Sequence, residues 1–545
     1  MPCRAPCNTP EPSREPPYNT GSDFLYEDDF AQSTSEYLER SGQVDGGGAR
    51  LVANPDSKGR FHSDWLDMIY PRLRLARNLL TEDGYIVVSI DDAEFAAMEL
   101  LLDEVMGSDN KLAVLVWDRN RKNDARFFSV GHEYMLVYTR DKATLTAAET
   151  RLREPQPGVQ EARELIRELG RKHGTNWDSI QAAWRKWAAA FAADDERRKL
   201  GRYSKVGPRG PFRDDGNISW PGGGGPKYEV LHPVTGKPCK IPDGGWRYPK
   251  KESFDRAVAE GRVGFGPDES TLPRQVRYLF ESDGLVMRSV NFSYAQTAAV
   301  EFHALMGGRV FDNPKNWRDL RRLVSYLTGP DDIVLDFFAG SASTGHAVMD
   351  LNATEGSQRR FILVQLDEVP DPKSEAAKAG YATIAEIARD RLRRVGSAIQ
   401  GDHESGGTGT DVGFRSLAVD TTNMADVLRT PDDTDQEQLD GLEDSVKQGR
   451  TGEDLLFQVL LDWGLDLALP IEAGQVEGQT VYVVDEGALV ACFDEEVTVE
   501  LVRALAKQEP LRAVFRDSGF ASDDARINAE QIFKELSPAT SVKAI

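Results

Sequence analysis

The sequence predicts an α/β fold, and three short apolar runs carry that prediction. The runs at residues 85–90, 333–336 and 361–366 have the length and composition of buried strands; the second ends in Asp336, and the other two are followed by acidic residues. Helical patterns follow the first two runs. Repeated strand–helix units of this kind pack as helices against a sheet, which defines the α/β class.

Length and composition indicate a globular protein. The chain has 545 residues, of which 40% are hydrophobic, enough for two to four domains with substantial cores. No apolar run approaches the roughly 20 residues that span a bilayer, and the first residues lack the apolar core of a signal peptide. We therefore expect a cytoplasmic protein that does not enter a membrane.

Cysteine usage and net charge limit the possible ligands. Cys3, Cys7, Cys239 and Cys492 are scattered without a second ligand pair at zinc spacing, which predicts reduced thiols and no metal site. The net charge of −23 excludes a protein that coats nucleic acid indiscriminately. Any contact with nucleic acid must therefore come from a local basic surface.

The N-terminal segment contains a Pro-Pro motif. Residues 1–14 show neither strand nor helix periodicity and are predicted to be a disordered arm. In the stretch that follows, Pro16 and Pro17 fix the backbone, leaving carbonyl oxygens beside the ring of Tyr18. That arrangement suits a flat ring with an amino group, whereas the alternative is an ordinary turn with a surface tyrosine.

Residues 60–140 follow the α/β pattern. Helical spacing over 65–80 precedes the strand 85–90, a helix follows at 93–105, and strands are predicted at 112–117 and 132–138. His132 lies at the entry of the last strand. A histidine at such a position is more often structural than catalytic, and we assign it a structural role.

The pattern changes near residue 145. Residues 159–193 are predicted to be helical, with a buried stripe of Ile180, Trp184, Trp187 and Phe191. Basic residues on loop-rich sequence follow, interleaved with aromatic residues: Arg197, Arg198, Lys199, Arg202, Lys205, Arg209, Arg213, Trp220, Trp246, Arg247, Tyr248, Lys250 and Lys251. This composition favours nucleic-acid contact over the alternative of a solvated, irregular insert.

The run at 333–336 opens into a loop of small residues that predicts a ligand site. The loop lets the backbone approach a ligand, and the acids that follow the next strand, Asp367 and Glu368, are placed for ribose hydroxyls. A cofactor that contains a nucleoside fits this pattern. The loop lacks the complete G-x-G-x-x-G spacing, so a turn that binds nothing is an equally good interpretation of these residues alone.

The rest of the chain contains more helices and a separate C-terminal domain. Helices are predicted at 317–327 and 371–400, followed by a flexible linker. From Gly413 the pattern predicts a helix at 454–463, strands at 480–484 and 488–493, and a helix at 497–507.

Taken together, these motifs resemble the modification subunits of type III restriction–modification systems, which are β-class amino-group DNA methyltransferases. The resemblance covers nearly the whole chain. It is carried by the strings EPPYNTGSDFLYEDDF, WLDMIYPRLRLARNLL, SVGHEYMLVYTRD and VFDNPKNWRDLRRLVSYLTGPDDIVLDFFAGSASTGHAVMDLN, and by the C-terminal strings GFRSLAVDTTNM and EDLLFQVLLDWGLDLALPIE.

The resemblance implies a Rossmann-like methyltransferase sheet in circularly permuted motif order, with an inserted target-recognition domain and a C-terminal α+β domain. It implies methyl transfer from S-adenosyl-L-methionine to adenine N6 in double-stranded DNA, a restriction (Res) helicase–nuclease partner, and a homodimer. The expected domains are an arm (1–14), a catalytic half (15–145), the target-recognition insert (146–295), a cofactor half (296–400), a linker (401–412) and an assembly domain (413–545).

The resemblance also assigns residues to the active site. Tyr18 would stack on an adenine flipped out of the duplex, while Glu15, Pro16 and Pro17 would hold its amino group. The residues expected to form the cofactor site are Phe311, Asn313, Pro314, Lys315, Asp336, Phe338, Gly340, Ser341, Ser343, Gln365 and Asp367.

One departure from the family pattern leaves two functions open. The family normally has a short acid before Pro-Pro and an apolar strand before that acid, whereas this chain has Glu15 and no apolar run. The longer side chain would overshoot, and a misplacement near 1 Å can cost about 10²-fold in rate. The chain is therefore either an active adenine methyltransferase or a truncated, non-catalytic DNA-recognition and assembly subunit. A nicotinamide-dependent oxidoreductase is poorly supported, because no catalytic constellation accompanies the glycine loop.

Overall fold

The computed structural model describes residues 11–14, 60–119, 127–192, 195–403, 410–424, 446–520 and 523–545. Glu15, Pro16, Pro17 and Tyr18 lie outside these ranges, as do Cys3 and Cys7. The chain divides into two compact units, Met1–Val412 and Gly413–Ile545. The second unit begins at the residue where the sequence places the C-terminal domain.

The first unit contains an α/β core interrupted by an insert. The elements before the insert are β1 (Glu11–Arg14), α1 (Arg60–Leu79), β2 (Tyr85–Ile90), α2 (Phe95–Leu102), β3 (Lys111–Asp118), β4 (His132–Thr139) and α3 (Lys142–Ala147). The elements of the insert are α4 (Val159–His173), α5 (Trp177–Ala189), β5 (Lys205–Gly207), β6 (Gly210–Gly216), α6 (Lys251–Ala259), β7 (Val263–Gly264) and β8 (Arg274–Tyr278). The elements after it are β9 (Val290–Phe292), α7 (Ala295–Met306), α8 (Trp317–Leu327), β10 (Ile333–Asp336), α9 (Ser343–Glu355), β11 (Arg360–Leu363), α10 (Glu375–Lys378) and α11 (Ile384–His403).

The strands of the core form two sheets that confirm the α/β class. The larger sheet has the order β1-β2-β4-β3-β9, and β10 pairs in parallel with β11. β1 lies beside β10 as well as β2, and so it brings the two sheets together. Every residue of β2 is buried, because hydrophobic clusters cover both faces of the larger sheet. The runs at 85–90 and 333–336 form completely buried strands, whereas the run at 361–366 forms the shorter and partly exposed β11.

The N-terminal strand corrects a prediction. Residues 11–14 form β1, so the expectation of disorder over 1–14, and of a missing strand before Glu15, is wrong for these four residues. β1 pairs in parallel with β2, with Glu11 opposite Ile86 and Arg14 opposite Val88. Its residues are polar, and main-chain pairing with β2 holds the strand, so hydrophobic periodicity could not reveal it.

Two predicted helices are broken in the structure. The predicted helix at 159–193 is two helices, because Gly174 adopts a φ of 58° after α4 and Asn176 caps α5 through a hydrogen bond to the Ser179 N–H. The predicted helix at 371–400 is divided into α10 and α11, and α11 continues to His403, into the predicted linker. The insert, predicted to be loop-rich, contains an antiparallel sheet of order β5-β6-β8-β7.

The second unit is an α+β domain on one mixed sheet. Its elements are α12 (Gly452–Asp462), β12 (Ile471–Val476), β13 (Gln479–Val484), β14 (Leu489–Cys492), α13 (Val499–Ala506), β15 (Arg512–Phe515), α14 (Asp523–Leu536) and β16 (Ser541–Ala544). The strands lie in chain order in the sheet. Within the described residues, no helix combines the length and apolar character needed to cross a bilayer.

Candidate functional site

The loop after β10 is shaped by the carboxylate at the end of that strand. Asp336 is only 4% exposed, and its Oδ1 accepts the Phe338 N–H at 3.1 Å while its Oδ2 accepts the Thr344 hydroxyl at 2.6 Å. Burying a charge is costly unless hydrogen bonds compensate it, and these two bonds do so. Asp336 thus ties the end of β10 to the first turn of α9.

Two residues of the loop adopt left-handed backbone conformations. Gly340 has a φ of 49° and Ala342 a φ of 59°. Glycine takes such angles without strain, whereas alanine does so at a cost. Ala342 stands where the family that this chain resembles often has a second glycine. The backbone conformation at this position is one that favours glycine.

The loop forms one wall of an open cavity, in which the space between the atoms, including the part open to solvent, is about 310 Å³. Its lining combines aromatic and aliphatic side chains with small hydroxyls and one ammonium group. The lining residues are Phe311, Asn313, Lys315, Leu320, Asp336, Phe338, Ala339, Gly340, Ser341, Ser343 and Thr344. Such a lining can hold a flat ring against its apolar part and an anionic group near Lys315.

Eight of the residues predicted for a cofactor site line this cavity, and three do not. The eight are Phe311, Asn313, Lys315, Asp336, Phe338, Gly340, Ser341 and Ser343. Pro314 is buried, and Gln365 lies behind the loop, where its Oε1 accepts the Gly340 N–H at 2.7 Å. Asp367 is exposed beyond β11 and outside the lining. Glu368 is half-buried, and burial raises the pKa of its carboxyl.

A buried arginine that the sequence analysis did not single out supports the same loop. Arg391 of α11 is 1% exposed and donates from Nη1 to the Ser341 carbonyl (3.1 Å), the Ser341 hydroxyl (3.0 Å) and the Ser343 hydroxyl (2.6 Å). Its guanidinium also lies over the Phe302 ring. Burial lowers its pKa to about 9. Arg391 lies at helical spacing from the buried Ile387 and Val395, which places it on the same buried face of α11. This spacing is the feature of the sequence that could have identified it.

A second cation, Lys315, lines the cavity and belongs to a charged cluster. Its Nζ donates to Oε2 of Glu133 at 2.8 Å. Arg119 donates to the same Glu133 oxygen at 3.3 Å and also bonds Asp319 and Ser293. Burial lowers the pKa of Lys315 to about 7 and raises that of Glu133. The cluster joins β3 and β4 to the residues around α8.

An aromatic stack packs behind the start of α9. The rings of Trp317 and His346 lie 4.2 Å apart and nearly parallel, and the Arg318 guanidinium lies over Trp317. Burial first, and the nearby Arg391 and Arg318 second, lower the pKa of His346 well below its usual value. The imidazole is therefore neutral at pH 7 and acts as an aromatic packing surface.

His132 makes polar contacts near the end of β2, away from the lining of the cavity. Its Nε2 lies 2.8 Å from the Tyr134 hydroxyl, which donates to Asp92 at 2.9 Å. Tyr134 also packs against the Phe95 ring. These contacts tie β4 to the start of α2, in keeping with the structural role predicted for His132.

The insert shows a more compact arrangement than the sequence predicts. Trp246, predicted on an accessible loop, is completely buried against Tyr228 and Phe254. Several of the predicted basic residues form ion pairs with acids: Arg197 with Asp195, Lys205 with Asp214, Arg209 with Glu281, Arg213 with Asp215, and Lys251 with Asp255. Base stacking by Trp246 is therefore excluded, and acids within the insert partly balance its positive charge.

The family of the chain follows from a comparison with known protein families. Residues 14–369 match the model of a family described as DNA methylase. The chain belongs to this DNA methylase family. The matched range contains the predicted Pro-Pro motif, the insert, and the strands β10 and β11 of the methylase.

Individual relatives of the methylase include subunits of restriction–modification enzymes. The Mod subunit of the type III enzyme EcoP15I from Escherichia coli is 34% identical over 386 residues, which are 70% of this chain and 58% of that protein. The StyLTI Mod subunit from Salmonella typhimurium is 33% identical over 426 residues, 77% of this chain and 58% of that protein. The type II methyltransferase M.KpnI from Klebsiella pneumoniae is 26% identical over 403 residues, 70% of this chain and 81% of that protein. The chain thus matches less than two thirds of the length of the two Mod subunits.

Proposed function

We propose that this methylase transfers a methyl group from S-adenosyl-L-methionine to adenine N6 in double-stranded DNA, as the modification subunit of a type III restriction–modification system. The observation that carries the proposal is the cavity at the carboxyl end of β10, in a chain of the DNA methylase family. The Mod subunits among the relatives support the choice of system.

The residues of the cavity fit the proposed cofactor. Phe311, Leu320 and Phe338 offer apolar surface for an adenine ring, and Lys315 offers a cation for the carboxylate of the methionine part. A side chain at Gly340 would approach the Phe311 ring to 3.7 Å, so glycine keeps the space beside that ring open. When bound, S-adenosyl-L-methionine would supply the methyl group as an electrophile.

The proposed roles of Glu15 to Tyr18 rest on the family resemblance. β1 is parallel to β2, so the chain leaves Arg14 at the sheet edge where Asp91 and Asp92 follow β2. β1 also lies beside β10, the strand whose following loop lines the cavity. Tyr18 would stack on the flipped adenine, and the main-chain carbonyl of Pro16 would accept a hydrogen bond from its amino group.

Transfer of a labelled methyl group tests this function. The full chain is incubated with S-adenosyl-L-methionine carrying a labelled methyl group and with unmethylated genomic DNA, and the DNA is then hydrolysed to nucleosides. The expected product is labelled N6-methyladenine. Label on cytosine would contradict the adenine assignment, and absence of label would contradict methyl transfer.

The second candidate is a DNA-recognition and assembly subunit that binds the cofactor without transferring methyl. The specific observation in its favour is Glu15, which is longer than the usual acid at this position. A Glu15→Asp variant separates the two candidates. A large gain of transfer in the variant, with unchanged affinity for S-adenosyl-L-methionine, would support the second candidate; equal rates in both proteins would exclude a handicap from Glu15.

Assembly is part of the same proposal. We propose a homodimer that associates with a Res helicase–nuclease subunit, with residues 413–545 contributing to the assembly. Light scattering on the full chain, alone and after mixing with a Res subunit, tests both associations. A monomer that does not change mass on mixing would contradict them.

A further inference from the structure

The ammonium of Lys315 is the only cation lining the cavity within the described residues, and a glutamate from a distant part of the chain holds it. Lys315 Nζ donates to Glu133 Oε2 at 2.8 Å, although the two residues are 182 positions apart. Their side chains are 13% and 23% exposed. An ion pair this sheltered interacts strongly, because little water screens it.

Charged groups of both signs cluster around this pair. Arg119 and Lys315 are cations, Glu133 and Asp319 are carboxylates, and the carboxylate of Asp336 lines the same cavity. Arg119 bonds Asp319, and its Nη1 also donates to the Ser293 hydroxyl at 2.6 Å. The Ser293 hydroxyl donates to Asp319 at 2.6 Å. The carboxylate of Asp319 is thereby engaged by Arg119 and Ser293, while Oε2 of Glu133 accepts a hydrogen bond from Lys315.

We propose that Glu133 is a positioning residue of the cofactor cavity, which holds the Lys315 ammonium in place and in its charged form to bind the carboxylate of the cofactor. The inference rests on the proposed function and deepens it. Glu133 itself does not line the cavity, and so it acts through Lys315.

Removal of the Glu133 charge would take away the carboxylate that both Lys315 and Arg119 contact. The guanidinium of Arg119 cannot give up its proton, whereas an ammonium in an apolar site can. Lys315 would therefore become neutral at a lower pH, since burial already disfavours its charged form. The groups that surround Lys315 are Glu133 from β4, Arg119 after β3, Asp319 from α8 and Asp336 from β10.

Glu133→Gln tests the proposal, because the amide keeps the shape and an acceptor oxygen but removes the charge. The affinity of the full chain for S-adenosyl-L-methionine is measured by calorimetry between pH 6 and 9. For the parent protein, affinity should decrease as Lys315 loses its proton near pH 7. In the variant the decrease should move to lower pH, and affinity at pH 7 should fall about tenfold or more, as expected for a hydrogen bond between charged groups. Any ionisation of the cofactor itself affects the measurements on both proteins equally. The difference between the two pH profiles therefore comes from ionisation of the protein.

Three further measurements distinguish positioning from general damage. The KM for S-adenosyl-L-methionine should rise by the same factor while kcat at saturation is unchanged. Glu133→Asp, which keeps the charge, should lose less affinity than Glu133→Gln. The control is Glu99→Gln, which removes the carboxylate partner of Lys111 outside the cavity lining and should leave cofactor affinity unchanged.

A Glu133→Gln variant with parental affinity and pH profile would overturn the proposal, and so would an equal loss in the Glu99→Gln control. If Glu133→Gln does not fold, the pH profile of Glu133→Asp decides in the same way. Should the parent protein not bind S-adenosyl-L-methionine, the proposed function fails. The effect of Glu133 on Lys315 can still be measured without cofactor, by NMR titration of ¹³C-labelled lysine: a Lys315 pKa that is unchanged in the variant would overturn the inference alone.

Discussion

Arg391 and Lys315 both lie beside the loop after β10, and burial affects the two cations differently. Burial lowers the pKa of Arg391 to about 9, so the guanidinium is charged at neutral pH and holds Ser341 and Ser343. Burial lowers the pKa of Lys315 to about 7, so its charge changes near neutral pH. The arginine provides a permanent scaffold for the loop, whereas the lysine provides a charge that its neighbours control.

The titration of Lys315 predicts how stability depends on pH. Its pKa is about 7 in the folded chain and 10.5 when unperturbed, so between these values the unfolded chain binds more protons. The free energy of unfolding should therefore rise with pH through this window, by up to about 1.4 kcal/mol per pH unit from this group. In urea unfolding experiments, the free energy of unfolding should increase more between pH 6.5 and pH 9 for the parent protein than for Lys315→Met.

The control for this measurement is Lys172→Met, which replaces an exposed lysine of α4 and should keep the parental pH dependence. The prediction would be contradicted if the free energy of unfolding increased as much for Lys315→Met as for the parent protein between the two pH values.

The left-handed conformation of Ala342 predicts an unusual tolerance to glycine. Ala342→Gly relieves a backbone cost of about 1–2 kcal/mol, but it adds unfolded-state entropy of roughly 0.5–1 kcal/mol and removes a buried methyl worth about 0.8 kcal/mol. These contributions cancel, so the free energy of unfolding should stay within about 1 kcal/mol of the parent value. Ala342→Val, which is β-branched and completely buried, should lose more than about 2 kcal/mol in the same urea titration. Equal stability of the valine variant would contradict this reasoning.

At the scale of elements, helix α9 packs unusually close to its neighbours through Gly345. A Cβ atom added there would come within 2.8 Å of Leu392 and 2.9 Å of Leu363. Gly345→Ala should therefore destabilise the protein by about 1–3 kcal/mol through overpacking, despite the higher helix propensity of alanine. Gly401→Ala is the matched control in α11, where no atom lies within 4 Å and alanine should be neutral or stabilising. Thermal unfolding of both variants checks the prediction, and a neutral Gly345→Ala would show that the two leucines move aside.

Sequence periodicity predicted several of the strands whose own side chains fill the core, although it missed the buried β15. Tyr85–Ile90 is an apolar, β-branched run, and the structure has this strand with the predicted bounds. β12 was missed because its residues are mostly exposed, and pairing with β13 holds it. The break at Gly174 was missed because the apolar stripe continues on both sides of it.

The predicted cofactor residues could be gathered from sequence because most of them lie within two short segments, 311–315 and 336–343. Glu133 and Arg391 could not be placed beside them, since each reaches the site from an element distant in sequence. For Trp246, the residues nearby in sequence led to a wrong prediction. Its neighbours suggested an exposed loop, whereas tertiary packing buries its ring and its indole N–H bonds the Tyr228 carbonyl at 2.8 Å.

At the scale of the whole molecule, the second unit contains all that an independent domain requires. Two hydrophobic clusters include residues from both faces of its five-stranded sheet, and all their members come from residues 424–545. An isolated fragment of residues 413–545 should therefore fold, since the described part of its core is built from its own residues. Circular dichroism should show one cooperative thermal transition, and a fragment without such a transition would contradict the independence of the unit.

A buried phenylalanine of this unit provides the sharper version of the test. Phe533 of α14 is 1% exposed, so Phe533→Ala should cost the isolated fragment about 3–5 kcal/mol. Ile527 on the same helix is 60% exposed, and Ile527→Ala should change stability by no more than about 0.5 kcal/mol. In the full chain, Phe533→Ala should leave affinity for S-adenosyl-L-methionine unchanged, because the described lining of the cavity comes from within residues 311–344. A loss of cofactor affinity in that variant would mean that the stability of the second unit is coupled to the cavity, contrary to the independence inferred from the two separate cores.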